Sequence, residues 1–160
     1  MQIHQNFLKH YTFTEFKNIV TAKNFRWYFP QSEGEPEQYS NLLYYDHQFS
    51  DDVTPKLKRL LSTMCIQLGA IAVFRIKINA TPKNAPHQGW HQDLKISTPS
   101  KTCVIYLNTC DGYTEFRGSA RKIYSMENTA VIFDTDHEHR GIPATNVERR
   151  LVLNINYFEK

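Results

Sequence analysis

The first 69 residues contain two segments whose apolar positions recur at helical spacing. In the first, residues 14–23, Phe16, Ile19 and Val20 fall on one side of a helix. Thr14 stands at the position of an N-cap, because its hydroxyl can accept from a free backbone N–H of the first turn. The pattern predicts a short amphipathic helix with its apolar side toward the core.

A second helix is predicted for residues 55–68. Thr54 is the candidate N-cap, Pro55 occupies the favoured first helical position, and Gly69 follows as a stop signal. The apolar positions form one stripe: Leu57, Leu60, Leu61, Met64 and Leu68. A stripe of leucine and methionine at this spacing indicates packing in a hydrophobic core.

The residues between these helices carry weaker signals. Residues 25–30 are mostly aromatic, and we expect them to lie across the core. Residues 31–40 include Ser32, Gly34 and Pro36 and are predicted to form a loop.

From residue 70 onward the apolar positions alternate with polar ones, which is typical of strands. Over residues 70–79, one face would carry Ala72, Phe74, Ile76 and Ile78, and the other Arg75 and Lys77. Further strands are predicted at 102–108, 114–117, 122–125, 129–134 and 150–158. Helices followed by short strands predict an α+β protein, with residues 1–69 as helical support and 70–160 as an antiparallel sandwich or barrel.

Composition narrows the class of protein. The 160 residues fit a single domain, and a formal net charge of +3, mixed along the chain, does not indicate a nucleic-acid partner. Cys65, Cys103 and Cys110 form no CxxC pair, which argues against a zinc ribbon or a disulfide framework. Without a signal-peptide pattern or an apolar run of membrane length, we expect a cytoplasmic protein with no membrane partner.

Candidate metal chemistry begins at His91-Gln92-Asp93. On an extended segment His91 and Asp93 point the same way and can reach one ion. Two imidazoles and one carboxylate on one face are the ligand set of non-haem iron(II) oxygenases. A His-x-acid pattern alone is common by chance, so a third ligand is needed. Residues 135–141 follow a predicted strand and offer His137 and His139, which have the same parity.

The order of these segments resembles a known family. After His91-x-Asp93 come, in turn, Tyr106-Leu107-Asn108, Thr114-Glu115-Phe116, Val131-Ile132-Phe133, His139-Arg140-Gly141 and a final segment that starts at Arg150. The series is similar to the double-stranded β-helix (jelly-roll) core of the iron(II)/2-oxoglutarate-dependent oxygenases, nearest to the prolyl-hydroxylase branch. The resemblance covers residues 71–158 and implies a jelly-roll core with the N-terminal helices packed on one sheet.

The resemblance also implies roles for single residues. His91, Asp93 and His139 would hold iron(II), because the glycine and proline that follow His139 fit the family's pattern at the distal histidine. His137 is the alternative distal ligand. An arginine that opens the last strand and a tyrosine of the YLN strand bind the far carboxylate of 2-oxoglutarate in the family, which assigns cosubstrate binding to Arg150 and Tyr106. For Tyr106 the alternative is core packing.

Alternation along the last strand favours Arg150 over its neighbour Arg149 as the inward residue. With Arg150 inward, Val152, Asn154 and Asn156 also point inward, and Leu151, Leu153, Ile155 and Tyr157 pack outward beneath helices. We therefore expect Asn154 to line the cosubstrate pocket. Prolyl hydroxylases commonly carry bulkier or apolar residues at the two asparagines, and this departure leaves the prolyl substrate open.

Two residues beside the metal motif have no firm assignment. Trp90 precedes His91 and would either stack on a substrate or be a buried structural residue. His87 is a further candidate ligand in the same segment, residues 79–90, which would form a lid or a substrate rim.

The activity that the resemblance implies is oxygenation with iron(II), 2-oxoglutarate and O2, releasing succinate and CO2. We expect hydroxylation of a protein or peptide side chain; a small metabolite or a nucleobase is the alternative substrate. A cupin-like binding module without redox chemistry is the competing class, although it has no need of an arginine at position 150. A zinc hydrolase would usually carry HExxH, which is absent. The short chain also resembles oxygenases of phages and marine bacteria, and a phage protein would act in its host's cytoplasm.

Overall fold

The computed structural model describes residues 1–29, 37–95 and 98–159. Within them the elements are β1 (Gln2–His4), α1 (His10–Val20), β2 (Tyr39–Tyr45), β3 (Gln48–Phe49), α2 (Pro55–Gln67), β4 (Ala72–Pro82), β5 (Lys101–Tyr106), β6 (Tyr113–Phe116), β7 (Lys122–Tyr124), β8 (Thr129–Asp134), β9 (His139–Ile142) and β10 (Arg149–Phe158). No helix in these ranges is long and apolar enough to cross a membrane.

The strands form two antiparallel sheets. In the described part of the chain, seven strands make a large sheet in the order β1-β8-β5-β10-β4-β2-β3, and three make a small sheet in the order β7-β6-β9. In the large sheet β10 lies between β5 and β4, with Arg150 opposite Thr81 and Asn154 opposite Lys77. One buried cluster joins the sheets, since Phe116 of the small sheet and Phe133 of the large one both belong to it.

A second and larger apolar cluster involves the other side of β10. It contains Leu153 and Ile155 of that strand and Ile76 and Ile78 of β4. Both helices contribute buried residues to it: Phe13, Phe16 and Val20 from α1, and Leu57, Leu60, Leu61 and Met64 from α2. Because burying a leucine-sized side chain contributes about 1.5–3 kcal/mol, this cluster anchors the large sheet.

Helix α2 follows its sequence prediction closely. The Thr54 hydroxyl accepts from the backbone N–H of Leu57 at 3.3 Å, and Pro55 is the first helical residue. The helix ends at Gln67, and Gly69 has a φ of +68°, a conformation that glycine adopts without strain.

Helix α1 differs from its prediction at both ends. It begins at His10 after Lys9, which makes no side-chain cap, so Thr14 lies inside the helix and is not its N-cap. The predicted start was too late because Phe13 is also buried and extends the apolar side by a turn. The helix ends at Val20, and the Thr21 hydroxyl donates back to the Lys17 carbonyl at 2.8 Å.

The sequence pattern suggested that the first 69 residues are helical support, but in the structure they are not purely helical. They also supply β1, which pairs with β8, and β2 and β3, of which β2 pairs with β4. These strands were missed because β1 and β3 are too short for alternation to show, and β2 starts within the predicted loop 31–40. Residues 30–36 lie outside the described residues. Of the aromatic segment, Phe25 and Trp27 pack against the core, whereas Phe29 is 71% exposed.

A β-bulge changes the predicted faces at the start of β4. The pairing of β10 with β4 shifts register between Asn156 and Tyr157. As a result Val73 packs against the core cluster, whereas Phe74 contacts the ring of Tyr45. The prediction that Ala72 and Phe74 share a face with Ile76 and Ile78 was therefore wrong, because a bulge resets the alternation.

Candidate active site

His91, Asp93 and His139 come together from distant parts of the sequence. His139 is the first residue of β9, a strand that the sequence did not predict, and His91 forms an isolated antiparallel bridge with it. Each backbone N–H donates to the other carbonyl, at 3.0 and 2.9 Å. One potential ligand atom from each of the three residues lies within 4.8 Å of the others. This group is a candidate metal site.

Backbone carbonyls orient both imidazoles. Nδ1 of His91 lies 3.0 Å from the carbonyl oxygen of Gly89, and Nδ1 of His139 lies 3.0 Å from that of His137. A carbonyl only accepts, so these contacts favour the tautomer with the proton on Nδ1, which leaves the Nε2 lone pair free for a metal. Burial lowers the pKa of His139, and the neighbouring Asp93 carboxylate opposes this only in part.

The rival histidines lie outside this group. His137 and His87 are exposed, and the ring of His137 packs near Phe116, with centroids 5.1 Å apart. Trp90 is 36% exposed, and the Arg140 guanidinium stacks 4.5 Å from its ring centroid. Trp90 is therefore not a buried structural residue, and its described partner is an arginine next to His139.

The Asp93 carboxylate accepts hydrogen bonds from three strands. Its Oδ2 lies 3.0 Å from Oγ1 of Thr102 on β5 and 3.2 Å from Nδ2 of Asn156 on β10. Its Oδ1 lies 3.3 Å from Nη2 of Arg75 on β4. Oδ2 is also the oxygen 4.0 Å from Nε2 of His139. Because Asp93 lies outside the strands, these contacts determine where its carboxylate points.

A pocket extends from the two histidines to Arg150. Its cavity volume is about 40 Å³, and the pocket is partly open to solvent. Its walls include Asn79 of β4 and Val152 and Asn154 of β10, so the polar side of β10 faces it.

Arg150 is buried at the deep end of this pocket, with only neutral partners. Its Nε donates to the Ser125 hydroxyl at 2.7 Å and its Nη2 to the Thr114 hydroxyl at 2.9 Å. None of the ion pairs found among residues 1–29, 37–95 and 98–159 includes it, and burial lowers its pKa. Since an unpaired buried charge is costly, this guanidinium is a candidate anion site. Arg149 is exposed.

Two glycines make room for the Arg150 side chain. A Cβ at Gly112 would lie 2.7 Å from Cδ of Arg150 and 3.0 Å from the Ile142 carbonyl oxygen. A Cβ at Gly141 would lie 3.1 Å from Nη1 of Arg150 and 3.1 Å from Oε1 of Gln88. Any larger residue at either position would press on the guanidinium or on the pocket wall.

Tyr106 lies behind Arg150 and not in the pocket wall. Its hydroxyl is 3.0 Å from Oγ1 of Thr114 and 3.2 Å from the Ile123 carbonyl oxygen, and the Arg150 guanidinium lies 5.3 Å from its ring centroid. The sequence resemblance suggested that this hydroxyl reaches the cosubstrate. In the structure Tyr106 and Arg150 both contact the Thr114 hydroxyl, and the role of Tyr106 in cosubstrate binding stays a prediction.

Two amide oxygens in the pocket wall have no partner. Oδ1 of Asn79 and Oδ1 of Asn154 are buried and accept no hydrogen bond from the described residues. A buried unsatisfied group costs about 1–3 kcal/mol, which a bound water or ligand would relieve. Asn156, two residues further along β10, has its amide engaged by Arg75, Thr102 and Asp93.

Several solved structures share this arrangement of sheets. A prolyl-4-hydroxylase from Pseudomonas putida has a TM-score of 0.72 at 13% identity, covering 99% of this chain and 92% of that chain. A Trichoplax adhaerens prolyl hydroxylase, solved with a peptide fragment of the hypoxia-inducible-factor oxygen degradation domain, has 0.70 at 14% identity, covering 99% and 83%. HygX from Streptomyces hygroscopicus, with nickel and 2-oxoglutarate bound, has 0.68 at 10% identity, covering 99% and 82%.

The chain shares the fold of these two prolyl hydroxylases and of HygX. The predicted jelly-roll core is thereby confirmed. No protein-family model and no curated protein sequence matches the chain. Likeness at 10–14% identity shows the oxygenase fold alone, so function has to be argued from the residues of the pocket.

Sequence reasoning missed the groups that hold the candidate ligands and Arg150 in place. Arg75 was assigned to one side of its strand without a role. The available signal for Arg75 was its alternation with Lys77, which points both toward the side that faces the pocket. Thr102 and Ser125 gave no signal, because a single hydroxyl in a strand is common.

Proposed function

We propose that the protein is an iron(II)- and 2-oxoglutarate-dependent dioxygenase. The observation that carries this proposal is one pocket with two members of the metal group, His91 and His139, at one end and the buried Arg150 at the other. No carboxylate of the described residues pairs with Arg150. The first end calls for a divalent metal and the second for an anion. A dicarboxylate with an oxo group next to one carboxylate satisfies both ends at once, and 2-oxoglutarate is such a molecule.

The donor set fits iron(II). Two neutral imidazole nitrogens and one carboxylate oxygen on one side of an ion leave its other positions open, as in the facial triad of non-haem iron oxygenases. The carbonyls of Gly89 and His137 fix both imidazoles with Nε2 free. When bound, iron(II) would supply the activation of O2 that oxidises the cosubstrate and a substrate C–H bond.

The residues of the other end fit a carboxylate. The guanidinium of Arg150 is a planar fork that suits two carboxylate oxygens, and Thr114 and Ser125 hold that fork in place. Gly112 and Gly141 keep the approach open. The amide N–H of Asn154 is available to donate to the rest of the cosubstrate. A bound water would donate to its unpartnered amide oxygen.

The chain's own residues would bind, orient and exclude water during turnover. Arg150 binds the far carboxylate and so sets the distance from the cosubstrate's oxo acid end to the three ligands. Val104 and Val152 line the path between the two ends and keep that stretch apolar. Such preorganisation is the protein's contribution, because the bond-breaking chemistry belongs to the cofactor.

For the substrate we propose a protein or peptide side chain, which would be hydroxylated with release of succinate and CO2. This proposal is supported by the likeness to prolyl hydroxylases, one of which was solved with a peptide. A small metabolite or a nucleobase is the competing class. An assay of succinate formation from 2-oxoglutarate separates them, because the true substrate class should stimulate turnover above the level without substrate.

The proposal also includes the role of the two helices and the cellular compartment of the protein. The shared apolar cluster supports a role for α1 and α2 as a brace on the large sheet. All three cysteines are free, and Cys103 and Cys110 are buried, which supports a reducing compartment such as the cytoplasm.

The direct test is anaerobic loading with iron(II) and 2-oxoglutarate. We expect a weak visible charge-transfer absorption that appears only when both are present. Succinate, which lacks the oxo group, is the matched control and should give none. A cupin-like module would bind the metal without the 2-oxoglutarate-dependent band, and that result would remove the oxygenase proposal.

A further inference from the structure

Arg75 reaches the Asp93 carboxylate by two routes. Directly, its Nη2 lies 3.3 Å from Oδ1 of Asp93. Indirectly, its Nε donates to Oδ1 of Asn156 at 2.9 Å, and Nδ2 of Asn156 donates toward Oδ2 of Asp93 at 3.2 Å. Nδ2 of Asn156 also lies 2.9 Å from the Thr102 hydroxyl, which itself contacts Oδ2. A change at Arg75 therefore alters two of the three groups that hold the carboxylate.

The contacts divide the two oxygens of Asp93. Oδ1 faces Arg75, whereas Oδ2 faces Nε2 of His139. With Oδ1 engaged by a guanidinium, the carboxylate presents a single oxygen toward the histidines. A one-oxygen ligand leaves more positions open on a metal than a carboxylate that binds through both oxygens.

Asp93 needs such support because its own backbone gives little. It lies in a bend two residues after the single His91–His139 bridge, outside any strand ladder. Its side chain is 5% exposed, and the terminal torsion of an aspartate is soft. Without Arg75 the carboxylate would be buried with no cation among the groups that contact it in the described residues, and free to rotate.

We propose that Arg75 is a positioning residue of the metal site, which holds Asp93 as a one-oxygen ligand before the metal binds. The inference rests on the proposed function only in taking Asp93 as a ligand. Arg75 acts through Asp93 and need not touch metal, cosubstrate or substrate.

The test is metal affinity of Arg75→Met, measured by calorimetric titration with Mn(II) and Co(II) without 2-oxoglutarate. We expect the dissociation constant to rise by about 10- to 100-fold, the usual effect of removing a group that orients a ligand. The visible spectrum of the Co(II) protein should also change, because it reports coordination number. Affinity for 2-oxoglutarate at saturating metal should stay within about 3-fold, since Arg150 is untouched.

Three further variants make the result specific. Arg75→Lys keeps the charge but not the fork that holds Asn156 and Asp93 together, so its affinity should lie between those of wild type and Arg75→Met. Arg26→Met removes a remote arginine–aspartate pair, with Asp52, and should leave metal affinity unchanged. Asn156→Ala combined with Arg75→Met should weaken binding by less than the product of the single effects, because both act on one carboxylate.

The outcomes separate this inference from the proposed function. If wild-type protein binds neither metal, the proposed function fails. If wild type binds and Arg75→Met binds equally well or more tightly, Arg75 has no positioning role. Equal losses of metal and 2-oxoglutarate affinity would indicate general distortion and would also overturn it. If Arg75→Met does not fold, Arg75→Lys decides, and unchanged affinity in that variant rejects the inference.

Discussion

The two faces of β10 differ in whether the protein itself satisfies the interactions of their side chains. On one side Leu153 and Ile155 are fully buried in an apolar cluster with both helices. On the other side, within the described part of the chain, Arg150 has only neutral partners and the buried amide oxygen of Asn154 accepts no hydrogen bond. The apolar side therefore stabilises the fold. On the polar side a carboxylate would pair with Arg150, and a bound water would donate to the Asn154 oxygen.

One strand can serve both stability and ligand binding. Alternate residues of a strand point to opposite faces, so stability and binding are separated by a single position. Substitutions on the polar side should change binding with little loss of stability, and substitutions on the apolar side should do the reverse.

The largest effect is expected from the candidate ligands. His91→Ala, Asp93→Ala and His139→Ala should each abolish metal-dependent 2-oxoglutarate turnover, because each removes one of three donors, while circular dichroism stays native. His137→Ala is the matched control, since His137 is exposed and outside the group. The assignment of the distal ligand would be wrong if His137→Ala lost metal binding and His139→Ala kept it.

Next in size is Arg150→Ala. A buried carboxylate that loses its charged partner costs about 2–5 kcal/mol, so 2-oxoglutarate affinity should fall at least ~30-fold by calorimetry on the metal-loaded protein. Arg149→Ala changes the exposed neighbour and should have almost no effect. Equal losses in the two variants would contradict a carboxylate site at Arg150.

On the apolar side, Leu153→Ala should lower the free energy of unfolding by about 2–5 kcal/mol, because it leaves a cavity in the cluster shared with the helices. Denaturant titration measures this effect. The dissociation constant for 2-oxoglutarate should change little in protein that remains folded. A variant with full stability and weakened binding would reverse the two sides of the comparison.

The two sides of β10 were predictable from the sequence because they depend only on alternation along one strand. Arg150, Val152 and Asn154 line the pocket as that alternation requires, and Leu153 and Ile155 lie in the core. Helix α2 was predictable for a similar reason, since Thr54 and Gly69 are local signals. Such features can be predicted without knowing which strands pair.

What the sequence did not reveal depends on pairing between distant strands. Arg75 meets Asn156 only because β4 and β10 align in one register, which a bulge resets immediately afterwards. The place of Tyr106 behind Arg150 depends on how the two sheets are stacked, with Thr114 of the small sheet contacting both. Neither the register nor the stacking leaves a pattern in a single segment.

The smallest effect, and the finest test of the comparison, is expected at Asn154. Removing an amide whose oxygen has no partner gives up no hydrogen bond in the ligand-free protein, so Asn154→Ala should change the free energy of unfolding by no more than ~1 kcal/mol. Its binding free energy for 2-oxoglutarate should weaken by about 0.5–1.5 kcal/mol, the net contribution of one hydrogen bond.

Asn41→Ala is the matched control for this change. Asn41 is more deeply buried, and it donates to the Arg26 carbonyl at 2.9 Å and toward Asp52 at 3.3 Å. It lies opposite Ile78 of the core. Its loss should destabilise the fold by more than that of Asn154 and leave cosubstrate binding unchanged, as seen in paired denaturant and calorimetric titrations. If Asn154→Ala proves as destabilising as Asn41→Ala and binds 2-oxoglutarate normally, the Asn154 amide is structural. Arg150 would then be the residue of the polar side of β10 that binds the ligand, and Asn154 would be a residue that stabilises the fold.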